Sequence, residues 1–172
     1  MGKIIIAGIG PGSKEDITPA VLEAVKGADV VVGYKYYFQF IESFVKSECE
    51  CIDTGMKKER ERAEMAFALA EQDKTVVVIS SGDAGIYGMA PLIYEMQRER
   101  GSDMEIVALP GISAFQKAAS LLGAPIGHDM CIIPSRMGGI GNSTVCRRFS
   151  FRSAVQRPLW DMSVRLGERM RW

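Results

Sequence analysis

Three segments of the sequence contain glycine, two of them together with serine hydroxyls, and could hold a small ligand close to the backbone. They lie at residues 8–12, 80–88 and 110–114. Glycine lets a backbone approach a ligand closely, and the serines and one carboxylate, Asp83, offer hydrogen bonds. None of the three segments contains a nucleophile beside a general base. The chemistry that they predict is therefore binding and positioning rather than covalent catalysis.

The first segment, GIGPGS, does not fit the two common nucleotide-binding fingerprints. A dinucleotide site requires a third glycine where Ser13 stands, and a P-loop requires Gly-Lys-Ser/Thr where this sequence has Gly-Ser-Lys. Pro11 lacks an amide donor and fixes φ, so the segment is poorly suited to cradling phosphate. An ordinary tight turn remains open as the alternative to a ligand-binding loop.

Several polar side chains near these segments have more than one possible role. Asp83 can accept hydrogen bonds from a ligand or from the amides of its own loop, and both roles stay open. Ser113 can cap the following helix or contact a ligand. His128 is a weak candidate for a general acid or base, because a lone histidine after a turn is more often structural. The catalytic residues therefore stay unknown.

The cysteines do not have the spacing of a metal site. None of the four forms a CxxC pair, and a single histidine cannot complete a histidine-rich site. Cys49 and Cys51 could supply half of a metal clip, but reduced, unpaired thiols are the better interpretation. We therefore predict no metal.

The apolar pattern alternates buried strands with amphipathic helices. Strands are predicted at residues 3–8, 29–33, 51–53, 74–80, 104–109 and 129–133. Helices are predicted at residues 18–27, 36–46, 58–72, 89–100 and 113–122. This order predicts an α/β fold, a parallel-rich sheet flanked by helices. The three glycine segments then follow carboxyl ends of strands, where ligands bind in such sheets.

Two of the helices show which side chains should face the core. In the helix over residues 58–72, Ala63, Ala66, Phe67 and Ala70 form the apolar stripe, and Arg62 falls on the polar face. In the helix over residues 36–46, the apolar face consists of Tyr37, Phe40, Ile41 and Phe44.

A change of composition divides the sequence near residue 133. Residues 1–133 carry 13 basic and 19 acidic side chains, whereas residues 134–172 carry eight arginines, no lysine and two acids. A switch from lysine to arginine within one chain marks a composition boundary. We predict an N-terminal domain over residues 1–133 and an atypical basic tail over residues 134–172. The tail is interpreted as a truncated, divergent or frame-shifted second domain, with nucleic-acid binding as the less favoured alternative.

The sequence contains no segment that is typical of a membrane span or a signal peptide. No apolar run approaches the roughly 20 residues of a membrane span. The apolar run at the N-terminus is too short for a signal peptide. We expect a cytoplasmic protein that binds neither membrane nor nucleic acid.

Taken together and in order, the segments resemble the tetrapyrrole methyltransferase family. The resemblance rests on GIGPGS after the first strand, SSGDAGIYGMA after the fourth and PGISA after the fifth. SGDAGIYG, VGYKYY and GAPIGHD are most similar to the C(17)-methyltransferases of cobalamin biosynthesis, which act on precorrin-3B or cobalt-precorrin-3. The resemblance covers about residues 1–133.

The resemblance implies a fold of two α/β domains with S-adenosylmethionine in the cleft between them, the second domain here being truncated or replaced. It implies methyl transfer to a small-molecule tetrapyrrole at C(17), with ring contraction. Another tetrapyrrole carbon, or an inactive fragment, are the alternatives. A homodimer is expected for the intact family. The cofactor-binding residues that it implies are Pro11, Ser81, Gly82, Asp83, Ile86, Ser113 and Ala114.

The composition boundary predicts the outcome of limited proteolysis. Trypsin should cut first at arginines of the tail, such as Arg136, Arg147 and Arg152, and leave a resistant product that ends near Ile133. Mass spectrometry of the early products is the measurement. Early cleavage inside residues 1–133, with the tail arginines intact, would contradict the predicted boundary.

Overall fold

Five strands and four α-helices alternate along the chain in a computed structural model that describes residues 2–123 and 126. The strands are β1 (Lys3–Gly8), β2 (Val30–Tyr34), β3 (Glu50–Thr54), β4 (Thr75–Ser80) and β5 (Glu105–Leu109). The helices are α1 (Pro19–Gly27), α2 (Glu59–Ala70), α3 (Ala90–Arg100) and α4 (Ala114–Leu121). The α/β fold predicted from the sequence is confirmed. No helix among the described residues is long and apolar enough to span a membrane.

The five strands form one sheet in the order β3-β2-β4-β1-β5, and every neighbouring pair is parallel. β1 occupies an inner position, with Ile4 opposite Val76 of β4 and opposite Ile106 of β5. Parallel neighbours require crossover connections, and here helices or short helical segments provide them. All five strands therefore end at the same edge of the sheet, which is called the carboxyl edge below.

The core lies on both faces of the sheet, because successive side chains of a strand point to opposite faces. Ile4 and Ile6 belong to one buried cluster, together with residues of α2 and α3 such as Phe67 and Ile93. Ile5 belongs to the other cluster, together with residues of α1. Burial on both faces explains the continuous β-branched runs of β1, β2 and β4.

The strand order places a topological switch point between the ends of β1 and β4, and the region above it is called the crevice below. These strands are neighbours, yet α1, which follows β1, packs against one face of the sheet and α3, which follows β4, packs against the other. The connecting loops diverge at such a point, and ligands of open α/β sheets bind there. The described fold thus places the glycine segments after β1 and β4 side by side.

The helix predicted over residues 36–46 is not an α-helix. The segment instead forms two 3-10 helices, Lys35–Phe40 and Glu42–Phe44. The Ile41 amide donates to the Phe38 carbonyl at 3.0 Å, and both side chains pack against the same core cluster. Residues three apart share a face in a 3-10 helix. Aromatic side chains lose rotational freedom in an α-helix, so the run of aromatic residues weakens the α-helical preference of this segment.

The prediction that Arg62 lies on the polar face of α2 is also wrong. Arg62 is only 4% exposed, whereas the predicted apolar stripe of the same helix is buried as expected. The predicted strand at residues 129–133, His128 and the tail lie outside the described residues. The domain boundary at residue 133 therefore stays a prediction.

The packing of the core beneath α2 and α3 can be tested by a substitution of Phe67. Its buried ring packs in the cluster beneath α2 and α3, and the Arg100 guanidinium lies over it at 4.7 Å from the centroid. Phe67→Ala should lower the free energy of unfolding by about 3–5 kcal/mol, because it leaves a cavity. Ala68→Ser, at the exposed neighbouring position, should change it by less than about 0.5 kcal/mol. Chemical denaturation measures both, and equal effects would contradict the described packing.

Candidate functional site

Three loops meet at the carboxyl edge: the first loop (residues 9–13), the second loop (residues 81–89) and the third loop (residues 110–113). The first and second loops are joined by a pair of main-chain hydrogen bonds between Gly10 and Gly82. The Gly10 amide donates to the Gly82 carbonyl at 3.1 Å, and the Gly82 amide donates to the Gly10 carbonyl at 2.7 Å. Both glycines have positive φ, which glycine adopts readily. This bridge fixes the relative position of the two loops.

The third loop touches the other two through its backbone. A Cβ on Gly111 would lie 2.3 Å from the Gly82 carbonyl oxygen and 2.4 Å from the Gly8 carbonyl oxygen. A Cβ on Gly8 would in turn lie 2.7 Å from the Gly111 amide nitrogen. Only residues without side chains allow this approach. The contact among Gly8, Gly82 and Gly111 is called the glycine junction below.

Asp83 holds the second and third loops together. Its Oδ1 accepts hydrogen bonds from the amides of Gly85 at 2.8 Å and Ile86 at 3.0 Å, and its Oδ2 accepts one from the Gly111 amide at 3.0 Å. Both carboxylate oxygens thus bind main chain. Of the two roles that the sequence leaves open for Asp83, the structure shows the one in which it fixes loop amides.

Ser113 is the N-cap of α4 and carries a buried hydroxyl. Only the glutamine arm of a capping box is present, because Gln116 Oε1 accepts a hydrogen bond from the Ser113 amide at 2.8 Å. The Gln116 amide donates to the Ser113 carbonyl at 3.0 Å. Ser113 is only 4% exposed, and its Oγ makes no hydrogen bond to the described residues. Because a buried polar atom is costly without a partner, this hydroxyl is the one buried side chain described at the three loops with hydrogen-bonding capacity that the protein does not use.

An ion pair ties the segment after the first loop to α4. Lys117 Nζ lies 2.8 Å from Asp16 Oδ2, and the Ser13 hydroxyl donates to the same oxygen at 2.8 Å. The hydrogen bond from Lys117, followed by that from Ser13, lowers the pKa of Asp16 below its ordinary value. The chain on either side of the crevice is thereby connected by side chains as well as by the glycine junction.

Arg62 connects the ends of β2 and β3 to the start of α3. Its Nε donates to Thr54 Oγ1 at 2.7 Å, and Thr54 in turn donates to the Gly33 carbonyl at 3.3 Å. A further donor, Nη1, lies 3.6 Å from Met89 Sδ at the end of the second loop. Desolvation by burial lowers the pKa of Arg62. Arg62 thus supports the end of the second loop through its contact with Met89. The spacing of Arg62 within its helix does not indicate this role.

The predicted cofactor residues are brought to the same edge of the sheet, with different exposure. Gly82 and Ser113 are buried, Pro11 and Asp83 are partly buried, and Ser81, Ile86 and Ala114 are exposed. The structural roles of Asp16, Lys117 and Arg62 are not predicted from the sequence. These residues stand far apart in the sequence, and only the fold brings their partners to them.

The two described cysteines lie outside this site. Cys49 and Cys51 are free thiols. Cys49 immediately precedes the edge strand β3, and Cys51 is the second residue of that strand. Burial raises the pKa of the Cys49 thiol to about 11, which keeps it protonated at neutral pH. No three potential metal ligands cluster within the part of the chain that the structure describes.

The fold and the site together define a class of protein: an α/β unit in which three glycine-containing loops meet at the carboxyl edge of a parallel sheet. The model of the family of tetrapyrrole (corrin/porphyrin) methylases matches residues 3–134. The crystal structure of the methyltransferase CobJ superposes with a TM-score of 0.72 and 37% identity, covering 77% of this chain and 56% of that one. The chain therefore belongs to the tetrapyrrole methylase family.

Curated relatives extend beyond the matched region. The cobalt-factor III methyltransferase of Priestia megaterium is 48% identical over 136 residues, which is 77% of this chain and 25% of that protein. The probable cobalt-factor III C(17)-methyltransferase of Salmonella typhimurium is 46% identical over 128 residues, covering 74% of this chain and 53% of that protein. The chain thus spans between a quarter and about half of the length of these relatives.

The glycine junction can be tested by adding one methyl group. Gly111→Ala should lower the free energy of unfolding by about 1–3 kcal/mol, because its Cβ would overlap two carbonyl oxygens. Gly27→Ala is the matched control, since a Cβ there meets nothing within 4 Å. It should be neutral or stabilising, because alanine narrows the unfolded ensemble. Equal melting temperatures for the two variants would contradict the close approach of the loops.

Proposed function

We propose that this chain supplies the cofactor-binding half of an S-adenosylmethionine-dependent C-methyltransferase of cobalamin biosynthesis. Membership of the tetrapyrrole methylase family and the methyltransferase relatives support the class of reaction. The finer assignment is methylation of precorrin-3B or cobalt-precorrin-3 at C(17), with ring contraction. It is supported by the name of the Salmonella relative, which is 46% identical over the matched residues.

The observation that carries the proposal is the buried, unpartnered Ser113 hydroxyl beside the glycine junction. A cofactor with polar amino-acid and ribose groups fits such a place, because it offers hydrogen-bonding atoms to a donor that the protein leaves unpaired. The same hydroxyl belongs to the residue that Gly82 faces. A Cβ on Gly82 would lie in van der Waals contact with Ser113 Cα and the Ala114 amide nitrogen, both at 3.8 Å.

The chain's own residues would hold and orient the cofactor. Exposed groups of Ser81, Ile86 and Ala114 would contact it, Ser113 would hydrogen-bond to it, and Pro11 would stiffen the first loop against it. Asp83 would act through the loop amides that it fixes. When bound, S-adenosylmethionine supplies a methyl group already activated as part of a sulfonium. The task that remains for these residues is to align that group and exclude water.

Two alternatives within this proposal concern the target carbon and the activity of this particular chain. The cofactor loops do not choose among tetrapyrrole carbons, so another methylation position is the second candidate. An inactive fragment is the third, because the match to the family ends at residue 134. The predicted homodimer and the cytoplasmic location remain part of the proposal for the intact protein.

Methyl transfer discriminates among these candidates. The full chain is incubated with cobalt-precorrin-3 and S-adenosylmethionine that carries a labelled methyl group, and the corrinoid product is analysed by mass spectrometry and NMR. Label at C(17) is the expected result for an active enzyme. Label at another carbon would contradict the C(17) assignment. No label in a folded sample would support the fragment.

The role of Asp83 gives a prediction that does not require turnover. Asp83→Leu removes the acceptor of three loop hydrogen bonds, so it should weaken binding of S-adenosylhomocysteine by about 1–3 kcal/mol. Asp83→Asn keeps one acceptor oxygen and should lose less. Asp103→Asn, at an exposed position between α3 and β5, is the control and should leave binding unchanged. Unchanged affinity in Asp83→Leu, measured by calorimetry or ligand-observed NMR, would contradict the assigned role of this loop.

A further inference from the structure

A closed ring of contacts connects the three loops with the first turn of α4. Gly10 and Gly82 are joined by their two main-chain hydrogen bonds, and a Cβ on Gly82 would lie 3.8 Å from Ser113 Cα. One helical turn after Ser113, Lys117 forms an ion pair with Asp16. The ring closes because a Cβ on Gly10 would lie only 2.9 Å from the Asp16 carbonyl oxygen.

The helix backbone ties Lys117 to Ser113. The Lys117 amide donates to the Ser113 carbonyl at 3.2 Å, and the Gln116 amide donates to the same oxygen at 3.0 Å. Residues four apart lie on the same face of an α-helix, one above the other. An interaction that anchors Lys117 therefore also sets how the first turn of α4, with the buried Ser113 hydroxyl, faces the second loop.

The ion pair has the geometry of an anchor rather than of a loose surface contact. Lys117 Nζ lies 2.8 Å from Asp16 Oδ2 and 3.1 Å from Oδ1, so it contacts both carboxylate oxygens. The Asp16 side chain is only 13% exposed, whereas that of Lys117 is 41% exposed. The Ser13 hydroxyl donates to the same carboxylate and holds it in place. A carboxylate that is already fixed loses little further freedom in the pair, unlike a mobile surface side chain.

The pair between Lys117 and Asp16 also differs from the other ion pairs in what it connects. No other ion pair among the described residues involves α4 or the segment directly after the first loop. Lys26, for comparison, pairs with Glu23 at 2.9 Å within α1, where both side chains are at least half exposed. That pair supports one helix, whereas the pair of Lys117 closes the ring of contacts around the loops.

We propose that Lys117 and Asp16 are positioning residues for the cofactor, because their ion pair keeps the first turn of α4, and with it the Ser113 hydroxyl, against the second loop. This inference rests on the proposed function. It gives control over the affinity for S-adenosylmethionine to two residues that are not among the assigned cofactor contacts. Coupling between two sites is reciprocal, so the bound cofactor should in turn strengthen the ion pair.

The test measures the affinity of the full chain for S-adenosylhomocysteine by calorimetry. Lys117→Met keeps most of the aliphatic stem but removes the charge, and it should weaken binding about fivefold. Asp16→Asn can still accept from Ser13 but loses the ion pair, so it should weaken binding in the same way. Lys117→Arg keeps a cation that pairs with carboxylates and should bind as the parent chain does. Lys26→Met breaks the pair within α1 and is the matched control, which should leave the affinity unchanged.

A double-mutant cycle shows whether the pair acts through Ser113. Ser113→Ala removes a hydroxyl that makes no hydrogen bond within the described residues, so it should weaken binding and leave α4 folded. Adding Lys117→Met to Ser113→Ala should then cost little further affinity, because the effects of coupled residues are not additive. A general structural role of Lys117 would instead give the sum of the two losses.

Hydrogen exchange of the ligand-free chain separates this inference from the proposed function. Lys117→Met should speed exchange at the amides of positions 116 and 117, which donate to the Ser113 carbonyl, and leave exchange in β1 unchanged. This result in a chain that does not bind S-adenosylhomocysteine would leave the positioning of Ser113 standing while the proposed function fails.

Three results would overturn the inference. The first is unchanged exchange at these two amides in Lys117→Met. The second is an affinity for S-adenosylhomocysteine in both Lys117→Met and Asp16→Asn that equals the affinity of a binding parent chain. The third is an additive loss of affinity in the double variant of Lys117 and Ser113.

Discussion

The close approach of three backbones at Gly8, Gly82 and Gly111 is the constraint on which the rest of the site depends. Because these residues carry no side chain, the loops after β1, β4 and β5 touch one another directly. The main-chain bridge between Gly10 and Gly82 and the carboxylate of Asp83 then lock the same loops through hydrogen bonds. The loops are therefore held together by contacts within the protein itself, and such preorganisation lowers the cost of binding a ligand.

Much of this fold could be predicted from the sequence, and the exceptions have physical reasons. β1 begins and ends where its β-branched run predicts, because strands buried on both faces have an unambiguous pattern. The 3-10 segments after β2 were missed, since periods of three and 3.6 differ little over so few residues. Arg62 was misplaced because its burial depends on Thr54 and Met89, which helical spacing within α2 does not reveal.

The sequence was sufficient to predict which loops form the site, but not what each side chain in those loops binds. The order of the motifs identified which loops converge, but not that the Asp83 carboxylate is used by the protein's own amides. Asp83 and the ion pair between Lys117 and Asp16 hold the loops in place. Under the proposed function, the Ser113 hydroxyl and the exposed residues of these loops then remain for the cofactor.

The proposed function places S-adenosylmethionine against the junction of the three loops at the carboxyl edge. An amide NMR titration of the full chain with S-adenosylhomocysteine examines this placement, because it reports weak binding residue by residue. We expect the largest shifts at the amides of Gly82, Ile86 and Ser113. We expect none at Asp29 or Thr75, which lie at the opposite edge and are joined there by a 2.7 Å hydrogen bond. Shifts concentrated at that opposite edge, or no shift at the loop amides with saturating ligand, would rule out binding at the three loops.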